Sequence, residues 1–131
     1  MNRTSTNVTD AELRLLAALW EGQPQTARQL AEALYRAAGA TELGTVQKLL
    51  QRLETKGLVQ RDRSGHVHQF SPAVGRDELA GRQLQQMAEK LSEGSLVPLI
   101  SHLVKTRAIS AREKEEIRRL LDEKAPKKPK R

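Results

Sequence analysis

Residues 51–70 have the sequence QRLETKGLVQRDRSGHVHQF, which begins as a helix, passes through Gly57 and continues as two short alternating runs. The runs cover residues 58–63 and 66–71, and Ser64-Gly65 lies between them. Glycine readily adopts the positive φ that a two-residue turn requires. The stretch therefore predicts a β-hairpin with a two-residue turn, placed directly after a helix.

Three helices are predicted before this hairpin. Thr9 and Glu12, and again Thr26 and Gln29, have the spacing of a capping box, in which each side chain bonds to the other residue's backbone N–H. Apolar residues then recur at i, i+3, i+4 and i+7 in three segments, which is the period of a helix with one buried face. These stripes are Leu13, Leu16, Ala17 and Trp20; Ala27, Leu30, Ala31 and Leu34; and Val46, Leu49, Leu50 and Leu53. Gly39 is predicted to end the second helix in the left-handed conformation.

Three helices followed by a hairpin is the element order of a winged helix-turn-helix, in which the hairpin is the wing. The predicted fold class is therefore mainly α, with a winged helix-turn-helix and a C-terminal helical segment. Because the third helix buries its apolar stripe, its polar face is left for solvent or for a DNA major groove. The predicted DNA-binding residues on this face and on the wing are Thr45, Gln47, Lys48, Gln51, Arg52, Arg61, Arg63 and His66.

Their chemistry suits DNA, since Gln can pair with adenine, Arg and Lys can reach guanine or phosphate, and Thr offers a methyl and a hydroxyl group. The alternative is that these residue types simply fill an exposed helix face, as they do in many proteins. The basic residues of the wing, beside the same face, favour DNA.

About three more helices are predicted beyond the wing, with apolar stripes that short helices cannot bury alone, so a partner chain is the natural cover. The predicted dimerisation residues are Leu84, Met87, Leu91, Leu96, Leu99, Ile100 and Leu103. The predicted domains are a flexible N-terminal arm over residues 1–8, a winged-helix DNA-binding domain over 9–72, a helical dimerisation domain over 73–124 and a basic disordered tail over 125–131.

The chain resembles the penicillinase-repressor family, the BlaI/MecI/CopY group of bacterial transcriptional regulators, in the stretches VTDAELRLLAALWEG, TARQLAEAL, TVQKLLQRLETKGLVQR and SLVPLISHLVKTRAISAREKEEIRRLL. The resemblance covers roughly residues 8–122 and lies in pattern and length rather than in a single motif. It implies a homodimeric repressor, with one winged helix on each half of a palindromic operator and C-terminal helices that interlock.

The resemblance also implies two ways of leaving DNA, and the sequence departs from both. Copper-responsive members bind metal through C-terminal Cys-x-Cys pairs, and this chain has no cysteine. Antibiotic-responsive members are cut at an Asn-Phe bond after a membrane sensor peptidase is activated, and His102-Leu103 aligns with that bond. This possible proteolytic switch has histidine in place of asparagine, so either the partner peptidase has a different preference or release follows another route.

Composition and charge narrow the possible functions. The formal charge of +7 favours a polyanionic partner, although Lys127, Lys128, Lys130 and Arg131 supply four of these charges and leave only +3 elsewhere. The absence of cysteine excludes disulfides, zinc-cysteine sites and thiol nucleophiles. The polar N-terminus and the lack of a long apolar run predict a cytoplasmic protein.

No enzyme, cofactor or metal site is predicted. His66, His68 and His102 have a spacing that favours a wing and a helix surface over metal ligation. The acidic residues at 113–116 alternate with basic ones, which is typical of a solvated helix face. Two functions remain: a dimeric, sequence-specific DNA-binding repressor and, as the alternative, a winged-helix module that binds protein or coats DNA with little sequence preference.

Overall fold

The computed structural model describes residues 7–123. The predicted tail over 125–131 lies outside this range, as does the predicted arm apart from residues 7 and 8. The elements are α1 (Asp10–Glu21), β1 (Gln25–Thr26), α2 (Ala27–Leu34), α3 (Ala40–Thr55), β2 (Val59–Asp62), β3 (Gln69–Pro72), α4 (Arg76–Ser92), α5 (Val97–Lys105) and α6 (Ala111–Asp122). The mainly α class and the winged helix-turn-helix are confirmed.

The chain divides into two compact units, one ending at Leu84 and one beginning at Gln85. The first unit holds α1 to α3, the three strands and the beginning of α4. Its core includes Val74 and Leu79, which lie beyond the wing. The domain limits inferred from the sequence stay a prediction.

The first two helices begin at their predicted capping boxes. The Glu12 N–H donates to Thr9 Oγ1 at 3.2 Å, and the Thr9 N–H donates to Glu12 Oε1 at 3.0 Å. Thr26 and Gln29 repeat this exchange at 3.1 and 2.9 Å. Each box satisfies backbone donors that the first turn of a helix leaves unpaired, which fixes where α1 and α2 begin.

The predicted role of Gly39 is wrong. α2 ends at Leu34, and Gly39 has a φ of −102° and precedes the first residue of α3. Its N–H donates to Glu42 Oε1 at 2.8 Å, so the carboxylate three residues later caps the start of α3. Gly39 therefore marks the beginning of a helix and not the end of one.

α3 buries the predicted stripe, whereas α1 is rotated relative to its prediction. The buried residues of α3 are Val46, Leu49, Leu50 and Leu53. In α1, Leu15, Leu16 and Leu19 lie in the core, while Leu13 is 41% exposed. Apolar residues cover more than one face of α1, so the sequence is compatible with burying either of two faces. Packing against the other helices decides which face is buried.

The wing has a longer loop than predicted. β2 and β3 pair in antiparallel fashion over four residues each, and Asp62 faces Gln69 at the end of the pairing. Residues 63–68 connect them, so Ser64-Gly65 is not a two-residue turn and His66 lies in the loop. The Ser64 N–H donates to Asp62 Oδ1 at 2.9 Å, a side-chain turn that ends β2.

A third strand was not predicted. β1 has only two residues, and it pairs with β3 so that Gln25 faces Phe70 and Thr26 faces Gln69. The sheet order is β1-β3-β2. A strand of this length has no alternation to detect, but it joins the wing to the residues immediately before α2.

Trp20 connects α1 to the chain that follows the wing. Its Nε1–H donates to the Val74 carbonyl oxygen at 2.9 Å, and the guanidinium carbon of Arg76 lies 5.1 Å from the centre of a Trp20 ring. Trp20 also packs against the core. It therefore fixes the position at which the chain leaves the sheet and enters α4.

A charged side chain, Glu12, lies inside the core with 1% of its surface exposed. Lys56 Nζ is 2.6 Å from Glu12 Oε1 and 2.7 Å from the Asn7 carbonyl oxygen. Burial by itself raises the pKa of the Glu12 carboxyl, but the hydrogen bonds from Lys56 and Thr9, together with the Lys56 charge, outweigh it. The pKa of Glu12 therefore lies below its ordinary value.

We expect the free energy of unfolding to fall as the pH drops below the ordinary carboxyl pKa of 4.5. A carboxyl with a lower pKa in the folded state contributes stability above its unfolded pKa and loses it as the pH falls through the folded pKa. Urea unfolding at a series of acidic pH values measures this slope. Glu12→Gln keeps the capping acceptor and should give a shallower slope; two parallel curves would contradict the assignment.

In the second unit, within the described residues 85–123, α5 and α6 bury none of their side chains. Ser110 caps the start of α6, because its Oγ accepts from the Glu113 N–H at 3.1 Å. No helix among residues 7–123 is long and apolar enough to cross a lipid bilayer.

Candidate nucleic-acid interface

The outer face of α3 carries all five predicted base-contacting residues, and all five are exposed: Thr45, Gln47, Lys48, Gln51 and Arg52. The opposite face of the same helix is buried in the core. Thr45 Oγ1 donates to the Thr41 carbonyl oxygen at 3.1 Å, so its hydroxyl retains only acceptor capacity for another partner. The helix thus presents a polar and basic surface on a rigid support.

A groove of about 520 Å³ runs between α2, α3 and the wing. Its lining includes Gln47 and Gln51 of α3, His66 of the wing loop, and Arg28 in the first turn of α2. Arg28 was not predicted, because a single exposed arginine has no distinctive pattern. Its position, two residues after the threonine that caps α2, the first helix of the helix-turn-helix, is the signal that could have found it.

The two predicted wing arginines lie in different surroundings. Arg61 has 21% of its side chain exposed, with Nη2 2.9 Å from Glu54 Oε1 and Nη1 3.4 Å from His68 Nδ1. Its guanidinium carbon lies 4.8 Å from the centre of the Phe70 ring. Arg63 is 60% exposed, and its Nη2 is 3.4 Å from Glu54 Oε2. Arg61 is held within the protein, whereas Arg63 reaches into solvent.

The wing also contains a carboxylate, that of Asp62. The backbone N–H and the hydroxyl of Ser64 hold the pKa of the Asp62 carboxyl below its ordinary value. Asp62 is therefore charged at neutral pH, and the wing is a mixture of basic and acidic groups.

The predicted dimerisation residues are apolar side chains with substantial exposure. Their exposed fractions are 49% for Leu84 and Met87, 69% for Leu91, 42% for Ile100 and 41% for Leu103, while Leu96 and Leu99 are half-buried. Exposure on this scale is unusual for a soluble chain that has no partner. Their role in dimerisation stays a prediction.

The three histidines belong to two different parts of the chain. His66 and His68 lie in the wing loop, and His102 lies in α5. Within residues 7–123, no group of three or more His, Asp or Glu side chains has the arrangement of a metal site. The bond between His102 and Leu103 lies inside α5, and both of its residues are exposed.

Comparison with known proteins gives consistent matches. The family described as "Penicillinase repressor" matches residues 8–123. The chain is 37% identical over 120 residues to "Transcriptional regulator BlaI" of Mycobacterium tuberculosis, in the CDC 1551 and H37Rv strains, with 90% of this chain and 85% of each relative covered.

Among solved structures, the chain is similar to the DNA binding domain of the repressor BlaI, with a TM-score of 0.49 and 22% identity, over 60% of this chain and 93% of that one. It is also similar to a mutant of ZitR from Lactococcus lactis, with a TM-score of 0.45 and 18% identity, over 92% of this chain and 75% of that one.

Proposed function

This chain belongs to the penicillinase repressor family, and we propose that it represses transcription by binding double-stranded DNA through its winged helix. One observation carries this proposal: α3 has a buried apolar face and an opposite face that is polar, basic and exposed, beside a wing that carries the exposed Arg63. A helix with this arrangement can enter a major groove without losing any core contact.

In this proposal α3 reads bases and the wing binds the backbone. Gln47 and Gln51 have amide groups that can pair with adenine, and Lys48 can reach guanine O6 and N7. Arg28, which lines the groove, and Arg63, which is exposed on the wing loop, can contact phosphates. Phosphate contacts position a protein on DNA without selecting a sequence.

We propose further that two chains bind one palindromic operator. The second unit exposes apolar side chains along α5 and α6, including Ile100, Leu103 and Leu120. A second copy of the same chain would cover these side chains and present a second winged helix. Two-fold symmetry in the protein requires matching half-sites in the DNA, separated by a whole number of helical turns.

Cleavage between His102 and Leu103 stays a prediction. The bond lies inside α5, and because helical chain resists proteolysis until it opens, a sensor peptidase would have to unwind this helix first. A cut there would separate α6 from the DNA-binding unit. It would thereby remove much of the surface proposed to join two chains.

We expect Gln47→Ala or Lys48→Ala to cost about 1–3 kcal/mol on the cognate site and to relax base preference, because each removes a base contact. Arg63→Ala should weaken binding to every duplex alike and reduce the salt dependence, because it removes a phosphate contact. Fluorescence anisotropy measures both effects, with a duplex from the region upstream of the gene and a scrambled duplex.

Arg14→Ala is the matched control for charge, since Arg14 is exposed on α1 and does not line the groove between α2, α3 and the wing. It should leave both affinities close to those of the unchanged protein. If the unchanged protein binds cognate and scrambled duplexes with equal affinity, the result would favour a non-specific DNA-coating module. If it binds no duplex at all, the result would contradict the proposal and favour a protein-binding module.

A further inference from the structure

We infer that Glu54 is a positioning residue of the DNA-binding surface: its carboxylate holds both wing arginines and lowers the affinity of Arg63 for phosphate. This inference rests on the proposed DNA-binding function and deepens it, because it assigns an opposing role to an acidic side chain at the basic surface. Glu54 would thus lower the affinity of the protein for every duplex, whatever its sequence.

The geometry places one carboxylate between α3 and the wing. Glu54 lies in the last turn of α3 and is 27% exposed. Its Oε1 is 2.9 Å from Arg61 Nη2, and its Oε2 is 3.4 Å from Arg63 Nη2. Each oxygen therefore has its own arginine, one on β2 and the other at the start of the wing loop.

Arg61 is the fixed member of this group. Besides Glu54, it contacts the Phe70 ring and His68, and its Nε is buried without a hydrogen-bond partner among the described residues. Turning Arg61 outward toward DNA would break all of these contacts. Glu54 and Arg61 together hold β2 against the end of α3.

Arg63 is the exchangeable member. Its side chain is 60% exposed, and its ion pair with Glu54 is the longer of the two. A DNA phosphate that binds Arg63 through Nη2 competes with Glu54 for this group. Exposed ion pairs of this kind change an equilibrium by about two- to five-fold, which sets the size of the effect on DNA affinity.

The test is Glu54→Gln, which keeps the shape of the side chain and removes its charge. Affinity for a mixed-sequence duplex should rise about two- to five-fold, and equally for cognate and scrambled sequences. The slope of log K for DNA binding against log salt concentration should steepen by up to about 0.9, which is the value for one phosphate contact. In the unchanged protein Arg63 gives up the Glu54 carboxylate when it binds a phosphate, and in the variant it has no carboxylate to give up.

Two controls separate a specific ion pair from a general change of charge. Glu32→Gln removes the same charge from α2, at an exposed side chain that takes part in none of the ion pairs within residues 7–123, and it should raise affinity less. In an Arg63→Ala background, the gain from Glu54→Gln should largely disappear. A gain of the same size in that background, or a loss of affinity in Glu54→Gln alone, would overturn the inference.

Hydrogen exchange in the absence of DNA tests the same group independently. Amides of β2, β3 and the loop over residues 63–68 should exchange faster in Glu54→Gln and at an unchanged rate in Glu32→Gln. If the protein without substitutions binds no duplex, the proposed function fails. If the amides of Glu54→Gln exchange at the same rate as those of the protein without substitutions, the positioning role is overturned.

If Glu54→Gln does not fold, Glu54→Asp takes its place. Its shorter side chain keeps the charge but cannot reach both arginines, so the same amides should again exchange faster.

Discussion

Replacing Leu99 by aspartate is expected to convert the protein into monomers and to lower its affinity for a two-half-site operator by about 10²–10⁴-fold. Leu99 is half-buried on α5, next to Ile100, which is 42% exposed, and near Leu103, which is 41% exposed. A carboxylate inside an apolar interface loses its hydration without gaining a partner, so two chains would not associate. Each winged helix would then bind its half-site alone.

Sedimentation measures the oligomeric state and anisotropy measures the affinity. Leu103→Asp serves as a second variant, because its more exposed position reduces any effect on the fold of the single chain. Lys105→Glu, which also adds an acidic side chain to α5 at an exposed position, is the control and should remain dimeric. A Leu99→Asp protein that still sediments as a dimer and binds as tightly as before would contradict the proposed interface.

Replacing Lys56 by methionine is expected to lower the free energy of unfolding by about 3 kcal/mol, because it leaves a buried carboxylate without its counter-charge. Glu12 is 1% exposed, and Lys56 is its partner at 2.6 Å. Methionine retains most of the volume of the lysine chain, so the loss comes from the charge and not from a cavity. The carbonyl oxygen of Asn7 would also lose a donor.

Urea unfolding followed by the fluorescence of Trp20 provides the measurement. Lys48→Met is the matched control, since Lys48 is exposed on α3, the helix that ends immediately before Lys56, and its effect should stay within about 0.5 kcal/mol. Adding Glu12→Gln to Lys56→Met should recover part of the loss, because no buried charge then remains. Equal stability of the two lysine variants would mean that solvent screens the Glu12–Lys56 pair.

Some features that depend on neighbours along the chain were predicted correctly, although the local predictions at Gly39 and at Ser64-Gly65 were wrong. The capping boxes at Thr9 and Thr26 involve residues three apart, and the buried stripe of α3 follows from a single helical period. Features set by distant residues were missed. The Glu12–Lys56 pair joins positions 44 residues apart, and β1 exists only because it pairs with β3.

The candidate DNA surface shows the same division. The exposure of Gln47 and Lys48 follows from the burial of the opposite face of α3, so the helical period of the sequence was sufficient to predict it. Arg61 and Arg63 are identical residues two positions apart, and sequence treats them alike. Glu54 contacts both, and their difference comes from Phe70 and His68, which reach Arg61 only after β3 has paired with β2.

The hydrogen bond between Trp20 and Val74 has a consequence for synthesis on the ribosome. It joins positions 54 residues apart, and the pairing of Gln25 with Phe70 spans a similar stretch. A nascent chain therefore cannot close its first unit until Val74 has emerged, although α1 and α2 are made much earlier. At that moment α5 and α6 have not yet emerged from the ribosome. Each chain can therefore complete its winged helix before the helices proposed to join it to another chain are exposed, so folding of this unit precedes assembly.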